Sequence, residues 1–319
     1  MGYDDIIKLR SMLLRSKEKE SIFSRSKFIG EMQQLAMSVK PTDVELSFKN
    51  KPFYRVSFSD IIQPMGPSAE LEKMRMTENP KIPQKIDYIV SDDLKAAEAS
   101  FMLYGSGQDI YKITTILSSG VLGSEQKKKL VPTRYSITAV DDIIAKQLMK
   151  RIKTYKQINE YLVYESFFLD NGFVILLMPG GWEYENFEAW APGTPWSMQM
   201  KEPTILQEYE SFKGRTTYAE SEGGGYYAAR LAVAESLDQM RKQARAVVFR
   251  EIYEGYVVPL GVWQVRENAR NAMRQKPSKF STMKEAMNFI SSKLRLPIDN
   301  YIKISKILQQ RRIDSFLNL

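Results

Sequence analysis

The stretch YLVYESFFLDNGFVILLM, residues 161–178, decides the fold of this chain. It contains two runs rich in aromatic and β-branched residues, Tyr161–Leu169 and Phe173–Met178. The sequence Asp170-Asn171-Gly172 lies between them, and an Asn-Gly pair flanked by such runs is a strong signal for a hairpin. The pattern therefore predicts two antiparallel strands that are buried in a core.

Amphipathic helical patterns lie on both sides of this predicted hairpin. Ala139–Tyr155 precedes it, and Tyr226 to about Phe249 and Val262–Arg274 follow it. Because helices and hairpins follow one another without a regular βαβ order, the sequence predicts an α+β fold. We expect three regions: an N-terminal α+β region (1–157), a C-terminal α+β region with basic helices (158–305) and a C-terminal docking tail (306–319).

Four shorter segments complete the predicted order. Ala69–Met76 is predicted as a short helical stretch within an irregular, proline-containing region, and Lys85–Val90 as a strand. Trp182–Trp196 is dense in aromatics, acids and prolines, which indicates a structured loop. Ile252–Val258 is predicted as a further strand.

The composition excludes several kinds of chemistry. The 319 residues include no cysteine and no histidine, so disulfides, thiol nucleophiles, zinc fingers and Ser-His-Asp catalysis are excluded, and we expect no zinc. Any catalysis must use carboxylates, Lys, Tyr, Ser, Thr or Arg, or a hard metal such as Mg²⁺ or Mn²⁺. The net charge of +8 mildly favours a polyanionic partner.

We expect a soluble protein with no membrane partner. The N-terminus MGYDDIIKLR lacks the apolar region of a signal peptide. The longest apolar run, Phe173–Met178, has six residues, whereas a membrane-spanning helix needs about 20.

A motif with a specific spacing stands at the C-terminus. Gln310, Ile313, Phe316 and Leu317 form the pattern Q-x-x-aliphatic-x-x-aromatic-apolar, which resembles the peptide that docks DNA-processing proteins on the sliding clamp PCNA. A single 3₁₀ turn brings residues three apart to one side and so forms an apolar plug. The alternative is a terminal amphipathic helix that packs on the body of the protein.

Several longer blocks resemble the archaeal Nre DNA-repair proteins. They are LAMSVKPTDVEL (35–46), KLVPTRYSITAVDD (129–142), LLMPGGWEYENFEAW (176–190), GGYYAARLAV (224–233) and EGYVVPLGVWQVRE (254–267). The resemblance implies a cytoplasmic archaeal protein of DNA repair that works with PCNA, and it assigns docking to the C-terminal motif. Many members carry a Cys-rich, zinc-finger-like N-terminus; this chain has no cysteine, so that element is absent.

One predicted helix carries a basic face. Arg266, Arg270 and Arg274 fall at i, i+4 and i+8, with Lys276 and Lys279 beyond the helix end. Without an acidic partner row, three stacked arginines repel one another, which favours contacts with DNA phosphates. The alternative is an ordinary solvated helix face.

Two groups of carboxylates are candidates for metal binding or catalysis. Arg134 precedes a predicted helix start with Asp141 and Asp142 in its first turn, an arrangement that suits either phosphate and Mg²⁺ binding or simple helix capping. Glu183 and Glu185 follow a buried strand, where aromatics beside carboxylates suit base stacking and a metal. The alternative for this second group is a loop that only packs.

A third candidate is the glycine run Gly223-Gly224-Gly225 at the start of a helix that carries Arg230. Glycines there let a phosphate approach free backbone N–H groups. The run matches neither a Walker A sequence nor GxGxxG, and a tight turn for close packing is the alternative.

Taken together, these residues indicate a DNA-repair factor that docks on PCNA and binds DNA through basic patches. The alternative is an enzyme, either a metal-dependent nuclease or a nucleotide- or NAD-processing activity that uses the carboxylates and arginines above. The sequence leaves open whether the protein is catalytic.

Overall fold

A computed structural model describes residues 2–54, 65–192, 194, 203–257 and 259–309. The chain divides into two compact units, Met1–Gln147 and Leu148–Leu319. Both units combine helices with antiparallel strands, so the predicted α+β class is confirmed. None of the helices within the described residues has the length and apolar character needed to cross a bilayer.

The N-terminal unit builds a small sheet and a group of helices. Its three strands have the order β1-β3-β2, with β1 parallel and β2 antiparallel to the central strand β3. The elements are α1 (Tyr3–Met12), β1 (Arg15–Lys17), α2 (Lys27–Met37), β2 (Val44–Phe48), β3 (Ser68–Met76), α3 (Gln84–Ser91), α4 (Ala96–Gly105), α5 (Ile110–Ser118), a 3₁₀ turn (Glu125–Lys127) and α6 (Thr133–Ile152).

Two predictions for this unit are wrong. Ala69–Met76 belongs to strand β3 rather than to a helix, because Ala69 and Leu71 alternate with exposed residues and are buried with period two. Lys85–Val90 lies in helix α3 rather than in a strand, since the buried pair Ile86 and Ile89 has helical spacing.

The C-terminal unit is organised on a six-stranded sheet of order β11-β5-β6-β10-β7-β8. Strands β7 and β10 are parallel and every other pairing in this sheet is antiparallel. The elements are β4 (Lys156–Gln157), β5 (Tyr161–Phe168), β6 (Asn171–Met178), β7 (Glu183–Trp190), β8 (Thr204–Glu210), α7 (Gly224–Met240), β9 (Lys242–Gln243), β10 (Arg245–Ile252), α8 (Val262–Arg274), β11 (Ser278–Phe280), α9 (Met283–Lys293) and α10 (Ile298–Ile302).

The predicted hairpin is confirmed as β5 and β6. Phe168 pairs with Asn171, so the loop consists of Leu169 and Asp170, both with φ of +52°. Positive φ at both loop positions is the signature of a type I′ turn. The Asn-Gly pair thus starts β6 instead of forming the turn, a shift of two residues from the predicted position.

The sheet has two differently covered faces. Helices α9 and α10 cover one face, where Phe187 and Phe249 stack at a centroid separation of 5.5 Å and Tyr301 packs edge-on against both. The alternate residues of β7 and β10 point to the other face, which helix α7 covers. This second face contains the polar groups described below.

Three sequence predictions for the C-terminal unit require correction. The predicted loop from Trp182 contains strand β7 as far as Trp190, while residues 193 and 195–202 lie outside the described part. Helix α7 ends at Met240, well before Phe249, because Arg241 adopts the left-handed conformation that terminates helices. The wholly buried run Arg245–Ile252 forms the central strand β10. The predicted strand at Ile252–Val258 is wrong, because only its first residue lies in a strand within the described residues.

Gly120 gives a stability test for the N-terminal unit. Its φ is +75°, and a Cβ added there would lie 2.8 Å from the backbone carbon and oxygen of Lys129. We expect Gly120→Ala to lower the free energy of unfolding by about 2–4 kcal/mol, because Ala is strained at this φ and the backbone it meets cannot move aside cheaply.

The matched control is Gly105→Ala, at the end of α4, where an added Cβ meets nothing within 4 Å. We expect this control to be neutral or slightly stabilising, since Ala is the better helix former. Both variants are measured by urea unfolding, and equal stabilities would contradict the close contact at Gly120.

Candidate functional site

A buried polar cluster lies between the sheet and the start of helix α7. Residues Tyr184, Asn186 and Glu188 alternate along β7, so their side chains share the face that α7 covers. All three are buried, although two of them are polar or charged. Burial of such groups is costly unless they find partners, and the neighbouring elements supply these partners.

Arg250 of the central strand β10 is the cation of this cluster. It forms an ion pair with Glu188, and its Nε and Nη2 donate to Oδ1 of Asn171 at 3.0 and 2.7 Å. Asn268 of α8 donates in turn to the backbone oxygen of Asn171 at 3.0 Å. The guanidinium therefore links strands β6, β7 and β10, and helix α8 is attached through Asn171.

Glu222 is the second carboxylate of the cluster and lies immediately before α7. Its Oε2 accepts a hydrogen bond from the Asn186 amide, and its Oε1 has no hydrogen-bond partner among the described residues. Burial raises the pKa of Glu222 well above its ordinary value, and the negative charge of Glu188 raises it further. Glu222 is thus favoured in its protonated form in the folded protein.

The predicted phosphate site at the glycine run is occupied by carboxylates instead. Gly223 has a φ of +54° at the N-cap of α7, and a Cβ on Gly225 would lie 3.3 Å from Oε2 of Glu188. The missing side chain lets this carboxylate approach the positive end of the helix dipole.

Arg230 does not accompany the glycine run at a ligand site. It is fully buried and pairs with Glu210 at 2.6 Å. Glu210 also accepts from Nε1 of Trp182 at 3.0 Å and from the hydroxyl of Tyr226 at 3.3 Å. This second polar group therefore attaches α7 to β8 and to Trp182, the residue before β7.

Glu183 and Glu185 lie on the opposite face of the sheet, and both are engaged. Glu183 pairs with Arg245 and accepts from the Tyr209 hydroxyl at 2.7 Å. Glu185 is fully buried and accepts from the Ser305 hydroxyl and from the backbone N–H groups of residues 306 and 307, at 2.6 and 3.1 Å. Glu185 thus anchors the C-terminal segment to the sheet.

The structure also separates the carboxylates predicted near Arg134. Helix α6 begins at Thr133, not at Ala139, because the carbonyl of Pro132 already accepts the first helical hydrogen bonds. Asp141 is consequently buried in the helix interior and Asp142 pairs with Lys146 at 2.7 Å, so neither lies in the first turn. Within the described residues there is no group of three acidic side chains able to hold a metal ion.

The predicted basic face has an acidic partner that local sequence does not reveal. Arg266 is buried, with 2% of its surface exposed. Arg270 binds both carboxylate oxygens of Glu235 on α7, at 2.8 and 2.7 Å, and also Glu267 at 2.8 Å. The expectation of three unpaired arginines is therefore wrong.

The exposed part of the basic surface is smaller than predicted. Arg274, Lys276 and Lys279 are exposed, and Lys279 makes a surface ion pair with Glu160 at 3.1 Å. A DNA contact through these residues stays a prediction. The four motif residues Gln310, Ile313, Phe316 and Leu317 lie outside the described residues.

Sequence reasoning missed the central residues of the buried cluster, Asn171, Asn186 and Arg250. One available signal is Arg250 itself, a charge that directly follows the apolar run Ala246–Phe249. Such a charge must be paired when the strand is buried, but its partner Glu188 is 62 residues away, and no local pattern identifies it.

Two family models match the chain: Archaeal Nre, N-terminal, over residues 1–197, and Archaeal Nre, C-terminal, over residues 210–317. Three of the blocks that carry the resemblance contain elements of the site. Block 176–190 contains β7, block 224–233 contains the start of α7, and block 254–267 contains the start of α8. The chain belongs to the archaeal Nre family.

Its relatives include two proteins from Archaeoglobus fulgidus. The DNA repair protein NreB is 41% identical over 289 residues, covering 90% of this chain and 73% of NreB. The DNA repair protein NreA of that organism is 37% identical, covering 91% of this chain and 74% of the relative. The DNA repair protein NreA of Haloferax volcanii is 33% identical, covering 99% of this chain and 77% of the relative. No solved structure matches at a significant level.

The buried carboxyl of Glu222 predicts a specific pH dependence of stability. In the unfolded chain this group ionises near its ordinary value of 4.5, whereas in the folded chain it keeps its proton to higher pH. Stability from this group is therefore greatest below pH 4.5 and falls as the pH rises toward the folded pKa.

Because Glu222→Gln cannot ionise, we expect its stability relative to wild type to increase between pH 5 and pH 8. The increase amounts to about 1.4 kcal/mol for each pH unit between the unfolded and folded pKa values. Urea unfolding at both pH values measures it. A difference between variant and wild type that is the same at pH 5 and pH 8 would contradict a protonated Glu222.

Arg270 and Arg274 form a matched pair for testing the basic helix. We expect Arg270→Ala to lower the free energy of unfolding by about 2–3 kcal/mol, because it removes the two-point ion pair with the largely buried Glu235. Arg274→Ala removes an exposed side chain, and we expect a change within about 0.5 kcal/mol. Thermal or urea unfolding at neutral pH compares them; equal stabilities would show that the pairing with Glu235 is not important.

Proposed function

We propose that this chain is a DNA-repair factor that docks on the sliding clamp through Gln310, Ile313, Phe316 and Leu317. The observation that carries the proposal is the motif spacing at residues 310–317, combined with membership of a family whose relatives are named DNA repair proteins. Such a factor works in the cytoplasm, where archaeal DNA is replicated and repaired.

The segment that precedes the motif supports the docking role. Glu185 holds the backbone of residues 306 and 307, and Ile307 is packed in the apolar core. The motif begins only a few residues later, at Gln310. The alternative is a terminal amphipathic helix that packs on the body of the protein.

The second part of the proposal is DNA binding through exposed basic residues. The net charge of +8 favours association with a polyanion, and Arg274 and Lys276 are exposed cations of the C-terminal unit. Contacts of this kind bind the phosphate backbone independently of sequence and weaken as salt increases. The clamp contact then supplies the localisation to sites of DNA synthesis.

Calorimetric titration of the full chain with the sliding clamp of the same organism tests the docking. We expect micromolar-range affinity, roughly −8 kcal/mol, which is lost in the double variant Phe316→Ala/Leu317→Ala because two of the three apolar anchors of the plug are removed. The control is Ile304→Ala, a half-exposed apolar residue upstream of the motif, which we expect to bind like wild type.

Two results would refute clamp docking. One is equal affinity of the wild type and the double variant. The other is absence of binding by a wild-type protein that is shown to be folded by circular dichroism.

A further inference from the structure

A cleft of about 310 Å³ lies in the N-terminal unit, between the segment at residues 22–30 and the loop at residues 120–130. The two segments are joined where the Leu130 N–H donates to the carbonyl of Ile22 at 2.8 Å. The floor of the cleft includes the buried side chains of Ile29 and Val121. A concave, partly apolar site of this volume is at the lower end of the range found for ligand pockets.

Phe23 presents an aromatic ring at the rim of this cleft. It lies in a tight turn closed by the Ser24 N–H, which donates to the carbonyl of Ser21 at 2.9 Å. The Phe23 side chain is 67% exposed, among the most exposed large apolar side chains of the described residues. The turn thus keeps an apolar ring in water beside a cleft.

Basic side chains line the same cleft as the exposed ring. Arg25, Lys128 and Lys129 line the cleft and Lys127 is exposed next to them. The Arg25 guanidinium donates to the carbonyl of Glu125 at 3.4 Å, which brings it to the lysine-rich loop.

Three acidic side chains lie at this cleft. Asp93 accepts a hydrogen bond from the Glu125 N–H at 3.0 Å. Glu125 pairs with Lys128 at 2.9 Å, and Glu20 accepts a hydrogen bond from the Ser26 hydroxyl at 2.9 Å. Hydrogen bonding and the charge of Lys128 lower the pKa of Glu125, so this carboxylate is ionised and neutralised by its own lysine. The four cations outnumber these three acids, so positive charge remains in excess at the cleft, mainly on Arg25, Lys127 and Lys129.

We propose that this cleft binds single-stranded DNA, with a base stacked on Phe23 and the flanking phosphates on Arg25 and Lys129. An accessible aromatic ring within a basic groove is how proteins bind unpaired strands, because every base has a face that can stack. A duplex keeps its bases stacked inside and offers only phosphates to such a site. The inference rests on the proposed DNA-binding function and specifies the form of DNA and the surface.

Fluorescence anisotropy of the full chain with a labelled oligothymidine of about 12 nucleotides tests this inference. We expect Phe23→Ala to weaken binding about tenfold, the size of one lost base–aromatic stack. We expect Lys129→Glu to weaken binding as well, and to reduce the slope of log affinity against log salt by about one phosphate contact.

The chain offers a matched control for each substitution. Tyr88→Ala removes another exposed aromatic, 69% exposed on α3, and Lys73→Glu makes the same change in net charge on β3. We expect Tyr88→Ala to bind like wild type and Lys73→Glu to show a smaller loss than Lys129→Glu. Because Phe23 and Lys129 are exposed, we expect both variants to fold, and circular dichroism checks this.

The outcomes separate this inference from the function on which it rests. If wild type binds the oligothymidine and Phe23→Ala binds equally well, the cleft is not the site although DNA binding stands. If wild type binds a duplex of the same length better than the single strand, the assignment to unpaired DNA is refuted. If wild type binds neither, the proposed DNA-binding function fails, while the clamp titration still decides docking on its own.

Discussion

A positive charge buried in the central strand of the C-terminal unit imposes requirements on the elements around it. Arg250 is almost fully enclosed, and a buried guanidinium is tolerated only when its donors are satisfied. Glu188 and Asn171 provide acceptors from the two neighbouring strands. The close approach of Glu188 to α7 is helped by the absence of a side chain at Gly225, where an added Cβ would lie 3.3 Å from Oε2 of Glu188. The burial of Arg250 therefore depends on how strands β6, β7 and β10 pair and on how closely α7 packs against them.

Local patterns were sufficient for those elements whose stability is mainly local. The β5–β6 hairpin was predictable because both apolar runs and the turn lie within 18 residues. Helices α7 and α8 were predictable from their start, since glycines precede both and their apolar spacing is helical. The end of α7 was not predictable, because the sequence of residues 241–249 is also compatible with a helix. The left-handed conformation of Arg241, which ends the helix, has no signal in the local sequence.

The candidate sites were harder to predict than the fold, for a physical reason. A charged residue in a sequence is equally consistent with a ligand contact and with a buried ion pair, and only the position of its partner decides. Arg270 illustrates this: its spacing suggested a DNA contact, whereas Glu235, 35 residues earlier on a different helix, takes its donors. Arg230 and Glu185 were misjudged as site residues for the same reason. Their partners, Glu210 and the backbone of residue 307, lie 20 and more than 100 residues away. Phe23 and Arg274 are exposed, and among the described residues no such partner takes up their side chains.

The attachment of residues 305–307 to Glu185 also limits how far the proposed docking motif reaches from the body. Three peptide units separate Ile307 from Gln310, and a fully extended chain spans at most about 3.6 Å per residue, or roughly 11 Å. So short a connection allows the C-terminal unit only a small range of positions relative to a docked partner. The C-terminal unit would be held almost against the surface of the clamp, so docking would determine the orientation of this unit as well as its location.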